Sequence, residues 1–436
     1  MNTRLRIEVT KASEMAEKIL AKRWPRAKML DAELTNSVEP IIDEVKKRGD
    51  AALIDFTFKF DGVKLSPSQL KADKGEIEKA YEEVNAKQIS AIEFAKKRLE
   101  SSEKALLARV NFEYEAEGIK TRRCTRPIRS VGCYVPGGEA SYPSTVVMMA
   151  VPAKVAGVPR IVICSPPKGK GEINPLTLVA ADICGVDEVY KVGGVQAIAA
   201  MTYGTETIRP VEKIVGPGNK YVLMAKRLVS QDVPVDLPAG PSEILVLADA
   251  SADARTVALD MISQAEHGAD GVSILVTTSM QLAEKVVKEL KAAVSSLPKS
   301  ETVIQALSRN GSVLVCEGMD EAVAFVNEFA PEHLEVMAKD AWKIAEKITS
   351  AGLVLIGKYS PVASSDYCLG TDHVLPTGGF SRVFSGLSVL DFVKRFSIAE
   401  CPKEGLSNIR GKIRVLAESE GLANHALAVE ERFRVE

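Results

Sequence analysis

The sequence predicts an α/β protein whose parallel sheets are covered by helices on both faces. From about residue 128 onward, short runs rich in valine and isoleucine alternate with helical segments rich in alanine. Each of these runs is apolar almost throughout, which is typical of strands buried on both faces of a parallel sheet. The chain has 436 residues, and a single hydrophobic core stops growing at roughly 250–300 residues. Two main domains are therefore expected.

The predicted elements run from a helical start, through the alternating region, to a helical end. The first 110 residues are predicted to be helical, because apolar residues such as Val38, Ile42 and Val45 recur at helical spacing. Helices are also predicted over Gln196–Tyr203 and Ala252–Glu266. The last part of the chain returns to helix and is too short to form a core of its own, so it is expected to dock on the main body or on a neighbouring subunit. The predicted strands are Arg129–Val135, Arg160–Cys164, Glu188–Val192, Lys213–Val215, Ile244–Ala248, Val272–Thr277, Val313–Cys316 and Leu353–Ile356.

Composition indicates a cytoplasmic protein with neither a nucleic-acid nor a membrane partner. The formal net charge is −2, so the chain lacks the basic surplus that attracts nucleic acid or anionic lipid. Its start carries scattered charges unlike a secretory signal, and its longest apolar run falls far short of the ~20 residues that span a bilayer. Seven cysteines without a CxxC motif are typical of a reducing compartment. Cys133 and Cys368 are the candidates if a catalytic thiol is present.

Two glycine-rich turns directly follow predicted strands. One is Val135-Pro136-Gly137-Gly138, and the other is Val215-Gly216-Pro217-Gly218-Asn219. In open α/β sheets, ligands bind outside the carboxyl ends of the strands, so both turns are candidate binding loops. The chain has no GxGxxG fingerprint, and these turns alone do not predict a dinucleotide.

Only four histidines occur, and each stands in a short polar motif. Gln264 and His267 lie three residues apart near the end of a predicted helix, for which Ser251 is the expected N-cap and Gly268 the stop signal. Residues three apart share a helix face, so an amide oxygen and an imidazole can offer two ligands to a metal ion. The alternative is that His267 only complements the negative end of the helix dipole.

The second and third histidines each have a carboxylate close to them. Pro331 stops a predicted helix, so Glu332 and His333 fall at the tip of the strand that follows. Such a pair offers one base for a hydroxyl proton and another for water; the alternative is a surface pair. Asp366 and His373 fall in a long, polar, glycine-punctuated loop. The Asp366 carboxylate suits zinc in combination with imidazole and amide ligands, and the alternative is a solvated loop.

The fourth histidine lies at a corner between two predicted C-terminal helices. Gly421 is expected to end one helix and Asn424 to cap the next, so that Glu420 and His425 flank the corner. A positive charge is unfavourable in the first turn of a helix, which favours the neutral, metal-binding form of His425. The alternative is an exposed histidine near a helix cap.

Many separated stretches, occurring in one order, resemble the histidinol dehydrogenase family over essentially the whole chain. All four histidine motifs fall where that family has functional histidines. The other matching stretches are Lys47-Arg48-Gly49-Asp50, Lys59-Phe60-Asp61-Gly62, Val131-Gly132-Cys133-Tyr134-Val135-Pro136-Gly137-Gly138, Gly193-Gly194-Val195-Gln196-Ala197-Ile198-Ala199, Gly216-Pro217-Gly218-Asn219-Lys220 and Asp236-Leu237-Pro238-Ala239-Gly240-Pro241-Ser242-Glu243.

The resemblance implies one zinc ion per subunit, NAD as the hydride acceptor and L-histidinol as the substrate. It implies a four-electron oxidation to L-histidine through bound histidinal, with Glu332 and His333 as the catalytic pair. Zinc would be bound by three residues of one subunit and by a histidine of the partner. The implied zinc ligands are Gln264, His267, Asp366 and the partner copy's His425; the substrate contacts are Ser242, Gln264, His267, His333, Asp366, His373, Glu420 and His425; the NAD contacts are Tyr134, Gln196 and Asn219.

The resemblance also implies a homodimer in which each subunit has two incomplete Rossmann-like domains and exchanges its helical terminal segments. Residues 31–133 and 242–381 would form the first α/β domain, with the zinc and catalytic residues. Residues 134–241 would form the second, NAD-binding domain. Residues 1–30 would be an N-terminal helical segment, and residues 382–436 a C-terminal helical segment that reaches the partner.

Two positions depart from the family pattern. Ser365 stands where the family usually has glycine, and Asp372 where it commonly has asparagine. An extra carboxylate beside His373 is expected to raise the pKa of that histidine. Three other functions compete: oxidation of a different polar alcohol such as a sulfonated diol, a zinc hydrolase that uses Glu332, and a non-catalytic zinc-stabilised binding protein. The corner with Glu420 argues against the first, because its groups suit an imidazole-bearing substrate.

Overall fold

The structure is a computed structural model that describes residues 5–23, 32–137, 142–294 and 300–434. Gly138 of the first glycine-rich turn and positions 1–4 and 24–30 of the expected N-terminal segment lie outside the described residues. Strands and helices are numbered separately in chain order. The strands are β1 Val9–Lys11, β2 Phe112–Ala116, β3 Ile119–Pro127, β4 Val131–Tyr134, β5 Ile161–Cys164, β6 Glu188–Tyr190, β7 Ile214–Val215, β8 Glu243–Ala248, β9 Val272–Thr277, β10 Gly311–Val315, β11 His333–Met337, β12 Leu353–Ile356 and β13 Val393–Glu400. The helices are α1 Ala12–Arg23, α2 Ala32–Arg48, α3 Asp50–Asp61, α4 Lys74–Glu83, α5 Ala86–Leu107, α6 Pro143–Ala156, α7 Pro175–Ile183, α8 Gly194–Tyr203, α9 Lys220–Val229, α10 Ala254–Ala265, α11 Met280–Ala293, α12 Ser300–Asn310, α13 Met319–Phe329, α14 Ala341–Ala345, α15 Val362–Tyr367, α16 Lys403–Ser419 and α17 Ala423–Glu430.

The first sheet has six parallel strands in the order β1-β10-β9-β8-β11-β12. Helices α10, α11 and α12 pack on one face, and α1, α13 and α14 pack on the other. Strand β8 is buried along its whole length, because side chains pointing to either face meet a helix layer. This is why its sequence is apolar after the first residue rather than alternating. The predicted α/β class with parallel sheets is confirmed.

The second sheet is also parallel and has the order β6-β5-β4-β7. Its core has two sides: α4 to α7 pack on one face, and α2, α3, α8 and α9 pack on the other. This packing differs from the expected division, which grouped residues 31–133 with the first sheet. The apolar stripe of α2, with Val38 and Val45 fully buried, contacts α8 and α9 instead. Helical periodicity reveals a buried face, but it does not reveal which sheet covers that face.

A third, antiparallel sheet has the order β13-β3-β2. Glu117 and Gly118 form the tight turn between β2 and β3, both with positive φ (54° and 73°), as this kind of hairpin turn requires. The sequence analysis missed all three strands. Their side chains are largely exposed, so they lack the apolar pattern by which a buried strand is recognised.

The two terminal segments differ from the helices expected for them. In the N-terminal segment, β1 pairs with β10 in the register Val9 to Val313, and α1 packs on the first sheet of the same chain. The C-terminal segment begins with β13 before α16 and α17. These last two helices pack on each other and leave Val415, Leu416 and Leu427 more than half exposed. Within the described ranges, every helix is too short or too polar to cross a membrane.

Candidate active site

The candidate site lies where the amino edge of the first sheet meets the carboxyl edge of the second. His333 is the first residue of β11, and its neighbours across the sheet are Ile244 and Leu353 at the starts of β8 and β12. From the other side, Thr145 lies in the first turn of α6, which follows β4 of the second sheet. Thr145 Oγ1 is 3.4 Å from His373 Nε2, so this contact joins the two halves of the site.

Glu332 and His333 meet as a buried acid–imidazole pair. They are 6% and 3% exposed, and Glu332 Oε2 is 3.5 Å from His333 Nδ1. His333 Nδ1 also lies 3.2 Å from the carbonyl oxygen of Glu243. A carbonyl oxygen can only accept, so Nδ1 carries a hydrogen, and in the neutral form of the ring Nε2 has the free lone pair. His333 Nε2 is buried without a hydrogen bond to any described residue, as suits a base that faces its substrate.

The carboxyl groups of Glu332 and Asp366 dominate the electrostatics around His333. Burial on its own lowers the pKa of His333, but the charges of Glu332 and Asp366 and the hydrogen bonds raise it to about 9. Asp366 Oδ1 lies 3.9 Å from His333 Nε2. Burial raises the pKa of Glu332, and the neighbouring His333 opposes that rise. His333 therefore has a strong affinity for a proton, because the carboxylates of Glu332 and Asp366 lie near its two ring nitrogens.

Asp366 and His373 are held together by the backbone. Asp366 lies in the short helix α15 rather than in the predicted loop. His373 Nδ1 donates to the Asp366 carbonyl oxygen at 2.8 Å. Burial lowers the pKa of His373, and the neighbouring His333 and His267 lower it further, against the raising effect of Asp366. His373 is therefore a neutral imidazole whose Nε2 can accept the Thr145 hydroxyl hydrogen, and it shares one electrostatic environment with the other two histidines.

Gln264 and His267 lie at the end of α10, and His267 is close enough to His373 to act on its pKa. The helix is shorter than predicted: Asp253 caps its start in place of Ser251, and it ends at Ala265, so His267 lies in the turn just beyond it. Gln264 is 2% exposed, and its Oε1 is buried with no donor among the described residues.

This donor set fits an oxygen- and nitrogen-binding metal such as zinc, since Gln264 and Asp366 supply oxygens and His267 an imidazole. The unpartnered Gln264 oxygen is the observation that favours a ligand at this position. Within residues 5–23, 32–137, 142–294 and 300–434, no three His, Cys, Asp or Glu side chains form a complete metal cluster.

The structure does not bring Glu420 and His425 to the other site residues of the same chain. Both are exposed, and they flank the corner between α16 and α17. Gly421 has a positive φ of 73°, in agreement with its predicted role as a helix terminator. Asn424, however, is already inside α17, whose N-cap is Leu422, so the predicted cap is wrong by two residues. His425 lies in the first turn of α17, as predicted.

Two of the expected NAD contacts lie at the carboxyl edge of the second sheet. Tyr134 ends β4, and its hydroxyl oxygen accepts a hydrogen bond from the Gly194 N–H at 3.1 Å. Gln196 is 1% exposed, and its Oε1 has no donor in the part of the chain that the structure describes. A Cβ atom on Gly216 would lie 2.3 Å from the Tyr134 carbonyl oxygen, so only glycine permits this approach of the second glycine-rich turn.

The remaining expected contacts are Asn219 and Ser242. Asn219 is the N-cap of α9, and its Oδ1 accepts from the Tyr221 and Val222 N–H groups at 3.0 and 3.1 Å. Its side chain therefore already has a structural role at the glycine-rich turn. Ser242 is half-buried and directly precedes Glu243, at the edge of the first sheet where His333 lies.

The two departures from the family pattern are accommodated by the structure. The Ser365 hydroxyl donates to the Val362 carbonyl oxygen at 2.7 Å within α15, so the added side chain is satisfied locally. Asp372 is buried, and its Oδ1 accepts from the Val374 N–H at 2.7 Å. Burial raises the pKa of Asp372 well above its usual value, which favours the neutral carboxyl group, similar in shape to the amide of an asparagine. The expectation that Asp372 raises the pKa of His373 is wrong, because the pKa of His373 is lowered.

Glu243 is a buried residue of the candidate site that the sequence analysis did not single out. It lies in a matching stretch, and it is 4% exposed at the head of β8. Its Oε1 accepts from the Gly378 N–H at 3.0 Å and its Oε2 from the Glu332 N–H at 3.3 Å. The available signal was a glutamate opening the strand sequence EILVLA, since an acidic residue in a doubly covered strand requires a partner.

The two candidate cysteines do not join the site. Cys133 is fully buried in β4, and burial raises the pKa of its thiol beyond the range in which a thiolate forms at neutral pH. Cys368 is exposed, and neither cysteine is in a disulfide.

Fold and site together are those of an α/β enzyme with a buried glutamate–histidine pair between two parallel sheets. Comparisons with known proteins show to which enzyme family the chain belongs. The sequence profile described as histidinol dehydrogenase matches residues 24–433. A histidinol dehydrogenase of Methanosarcina mazei is 43% identical over 97% of both chains, and one of Archaeoglobus fulgidus is 46% identical over 91% of this chain and 95% of the relative.

A solved structure agrees with the sequence comparisons. The crystal structure of histidinol dehydrogenase from Elizabethkingia anophelis superposes with a TM-score of 0.93 at 37% identity, and the match covers 99% of this chain and 98% of that one. The chain belongs to the histidinol dehydrogenase family. It is thus an enzyme, an oxidoreductase of the NAD-dependent dehydrogenase class.

Proposed function

We propose that this protein catalyses the zinc-dependent, NAD-linked oxidation of L-histidinol to L-histidine, a four-electron reaction that passes through bound histidinal. The observation that carries the proposal is the buried Glu332–His333 pair, with His333 Nε2 unpartnered and 3.9 Å from Asp366 Oδ1. An alcohol oxidation needs a base at the hydroxyl group, and an aldehyde oxidation also needs a base for water. The two adjacent side chains meet both needs.

Zinc would be held by Gln264, His267 and Asp366 of one subunit and by His425 of the partner copy, with one ion per subunit. When bound, the metal would act as a template that orients the imidazole and amino groups of the substrate. The exposed position of His425, on a C-terminal segment that leaves Val415, Leu416 and Leu427 uncovered, supports a homodimer with a shared site.

NAD would bind at the carboxyl edge of the second sheet, with Tyr134, Gln196 and Asn219 as its contacts. When bound, it would accept the hydride from the substrate carbon in each of the two steps. The unpartnered Gln196 Oε1 supports this assignment, because a buried amide oxygen without a donor is a suitable acceptor for a ligand group.

The protein residues would move the protons. His333 Nε2 would take the hydroxyl proton of the alcohol in the first oxidation. Glu332 would then remove a proton from the water that adds to the aldehyde, and His333 would take the hydroxyl proton of the resulting hydrate in the second. Glu243 would keep both groups in place through its hydrogen bonds to the Glu332 backbone and to His333.

Substrate specificity would come from polar groups around the metal ligands. Ser242, His373 and the partner copy's Glu420 are the proposed additional contacts to L-histidinol. A neutral His373 suits this role, because a cationic ring beside the substrate's amino group would repel it. Retention of the aldehyde between the two steps would protect a reactive intermediate from solvent. We further propose that the enzyme works in the cytoplasm.

The test is the stoichiometry of NADH release from purified enzyme with a limiting amount of L-histidinol. Two NADH per histidinol are expected, with loss of activity on chelation and recovery when zinc is added back. One NADH with free aldehyde would exclude the four-electron reaction. No NADH, together with ester or amide cleavage, would instead support the zinc hydrolase, and turnover of a sulfonated diol in preference to histidinol would support the other dehydrogenase.

A further inference from the structure

Two buried carboxyl groups that act on each other lie on α10, which carries the proposed zinc ligand Gln264, and on β11, which begins with His333. Asp260 belongs to α10, and Glu335 belongs to β11, two residues after His333 and therefore on the same face of the strand. Glu335 is 1% exposed. A carboxyl group at such a depth requires a partner that stabilises it, because an isolated buried charge is strongly unfavourable.

Asp260 is the carboxyl group that acts most strongly on Glu335. Asp260 Oδ2 and Glu335 Oε2 are both buried without a hydrogen-bond partner among the described residues, and a hydrogen bond between the two side chains would satisfy both. Two ionised carboxylates cannot form such a bond, because both are acceptors. Burial and then the charge of Asp260 raise the pKa of Glu335. Glu335 therefore holds the proton and donates it to the Asp260 carboxylate.

The other oxygen of Glu335 binds the start of a different helix. Glu335 Oε1 accepts from the Val362 N–H at 2.7 Å, and Val362 is the first residue of α15. The first N–H groups of a helix have no partner within the helix, so this bond satisfies one of them. Glu335, on β11 of the first sheet, thus links α10 and α15.

Two of the proposed zinc ligands come at the same sequence distance after Asp260 and Val362. Gln264 lies four residues after Asp260, and Asp366 lies four residues after Val362, which is about one helical turn in each case. We propose that the Asp260–Glu335 pair is a positioning device for the metal site, which holds α10 and α15 at the separation at which Gln264, His267 and Asp366 can reach one ion. This inference rests on the proposed function, because it presupposes zinc at these ligands.

The competing explanation is that Glu335 only fills space in the core. A leucine would fill that space without the cost of burying a carboxyl pair, and apolar replacement of buried ionic groups is often neutral or stabilising. Leucine cannot accept from the Val362 N–H or donate to Asp260. Glutamine can do both, because its amide oxygen accepts and its NH₂ group donates. The two substitutions therefore separate hydrogen bonding from packing.

The experiment measures the zinc dissociation constants of the full-length, metal-depleted protein by competition with a chromophoric chelator. Wild type is measured first, and the absence of saturable zinc binding there would reject the proposed zinc site itself. For Glu335→Gln we expect an affinity within about threefold of wild type. For Glu335→Leu we expect a loss of about 10- to 100-fold, the range for partners that orient metal ligands, and a cobalt(II) visible spectrum that differs from wild type.

Two further variants keep the test independent of folding defects. Asp260→Leu removes the other member of the pair and is expected to match Glu335→Leu. Glu103→Leu is the matched control. Glu103 is also buried and accepts a backbone hydrogen bond, from the Val389 N–H at 2.6 Å. This bond involves neither α10 nor α15. The zinc affinity of this variant should stay within about threefold of wild type. Wild-type affinity in both Asp260→Leu and Glu335→Leu, or an equal loss in Glu335→Gln and Glu335→Leu, would overturn the proposal.

Discussion

Glu332 and Glu243 exchange hydrogen bonds across two neighbouring strands of the first sheet. The Glu243 N–H donates to Glu332 Oε2 at 2.7 Å, and the Glu332 N–H donates to Glu243 Oε2 at 3.3 Å. Each side chain therefore binds the backbone of the other, at the point where β8 and β11 begin. This reciprocal contact fixes the orientation of the Glu332 carboxylate toward His333.

Replacement of Glu243 by alanine should impair catalysis although this residue is not proposed to touch the substrate. In Glu243→Ala, the Gly378 and Glu332 N–H groups lose their acceptor, whereas the main-chain carbonyl that His333 Nδ1 contacts remains. We expect kcat to fall by about 10²-fold, because small displacements of a general base are costly, while KM changes little. Steady-state kinetics check this. Glu301→Gln, at an exposed glutamate of α12, serves as the control, and an unchanged kcat in Glu243→Ala would contradict the positioning role.

Glu332→Gln should slow the second oxidation more than the first, because only the second step needs an activated water. General base catalysis contributes roughly 10²- to 10⁴-fold, and a loss in that range is expected for the second step. The measurement is NADH released per histidinol in single turnover, with a trapping reagent for the aldehyde. If both steps slow equally and no aldehyde is trapped, the division of roles between Glu332 and His333 is wrong.

The zinc content of two variants should distinguish the proposed base, His333, from the proposed zinc ligand His267. His333→Asn should lose turnover and still hold zinc, whereas His267→Asn should lose both, since a ligand is removed only in the second case. Atomic absorption after gel filtration measures the bound metal. Equal zinc content in the two variants would remove His267 from the ligand set.

A mixed dimer tests whether the site is shared between two copies. One subunit carries His425→Ala and the other His267→Ala, so that one of the two sites combines an intact His267 with an intact His425. That heterodimer should show about half of the wild-type kcat, while each mutant homodimer should be inactive, because every site then lacks a ligand. An inactive heterodimer that remains dimeric would argue for a site built within one chain.

Asp372→Asn should stabilise the protein increasingly as the pH rises above about 4. The pKa of Asp372 is raised by burial in the folded state, whereas an unfolded aspartate titrates near 3.9. Between these two pKa values the wild type loses about 1.4 kcal/mol of unfolding free energy per pH unit, because ionisation favours the unfolded chain. Asparagine keeps the acceptor for the Val374 N–H and does not ionise.

Urea unfolding at pH 5 and pH 8 measures this effect. The gain in unfolding free energy from Asp372→Asn should be larger at pH 8 than at pH 5. The control is Asp43→Asn at an exposed aspartate of α2, for which no such trend is expected. A gain that is independent of pH would mean that Asp372 is already ionised in the folded protein.

Local patterns were sufficient to locate most of the buried elements. Strands β9 and β12 have the predicted bounds, and β8 begins one residue earlier than predicted. This agreement arises because an unbroken apolar run records burial on both faces of a sheet. The exposed hairpin of β2 and β3 was missed for the same reason, since without burial there is no apolar pattern. The histidine motifs were visible as well, because polar residues beside glycine and proline turns are local features.

The tertiary structure alone decided which of these local features meet. The sequence determined the α/β class, the four histidine motifs and the family resemblance, all of which depend on residue type and spacing. It could not assign helices α2 to α5 to the second sheet, place Thr145 against His373 across the two sheets, or pair Asp260 with Glu335. Contacts between residues distant in sequence depend on how whole layers pack. Burial of the assembled site then sets the pKa of Asp372 and His373, which no local pattern encodes.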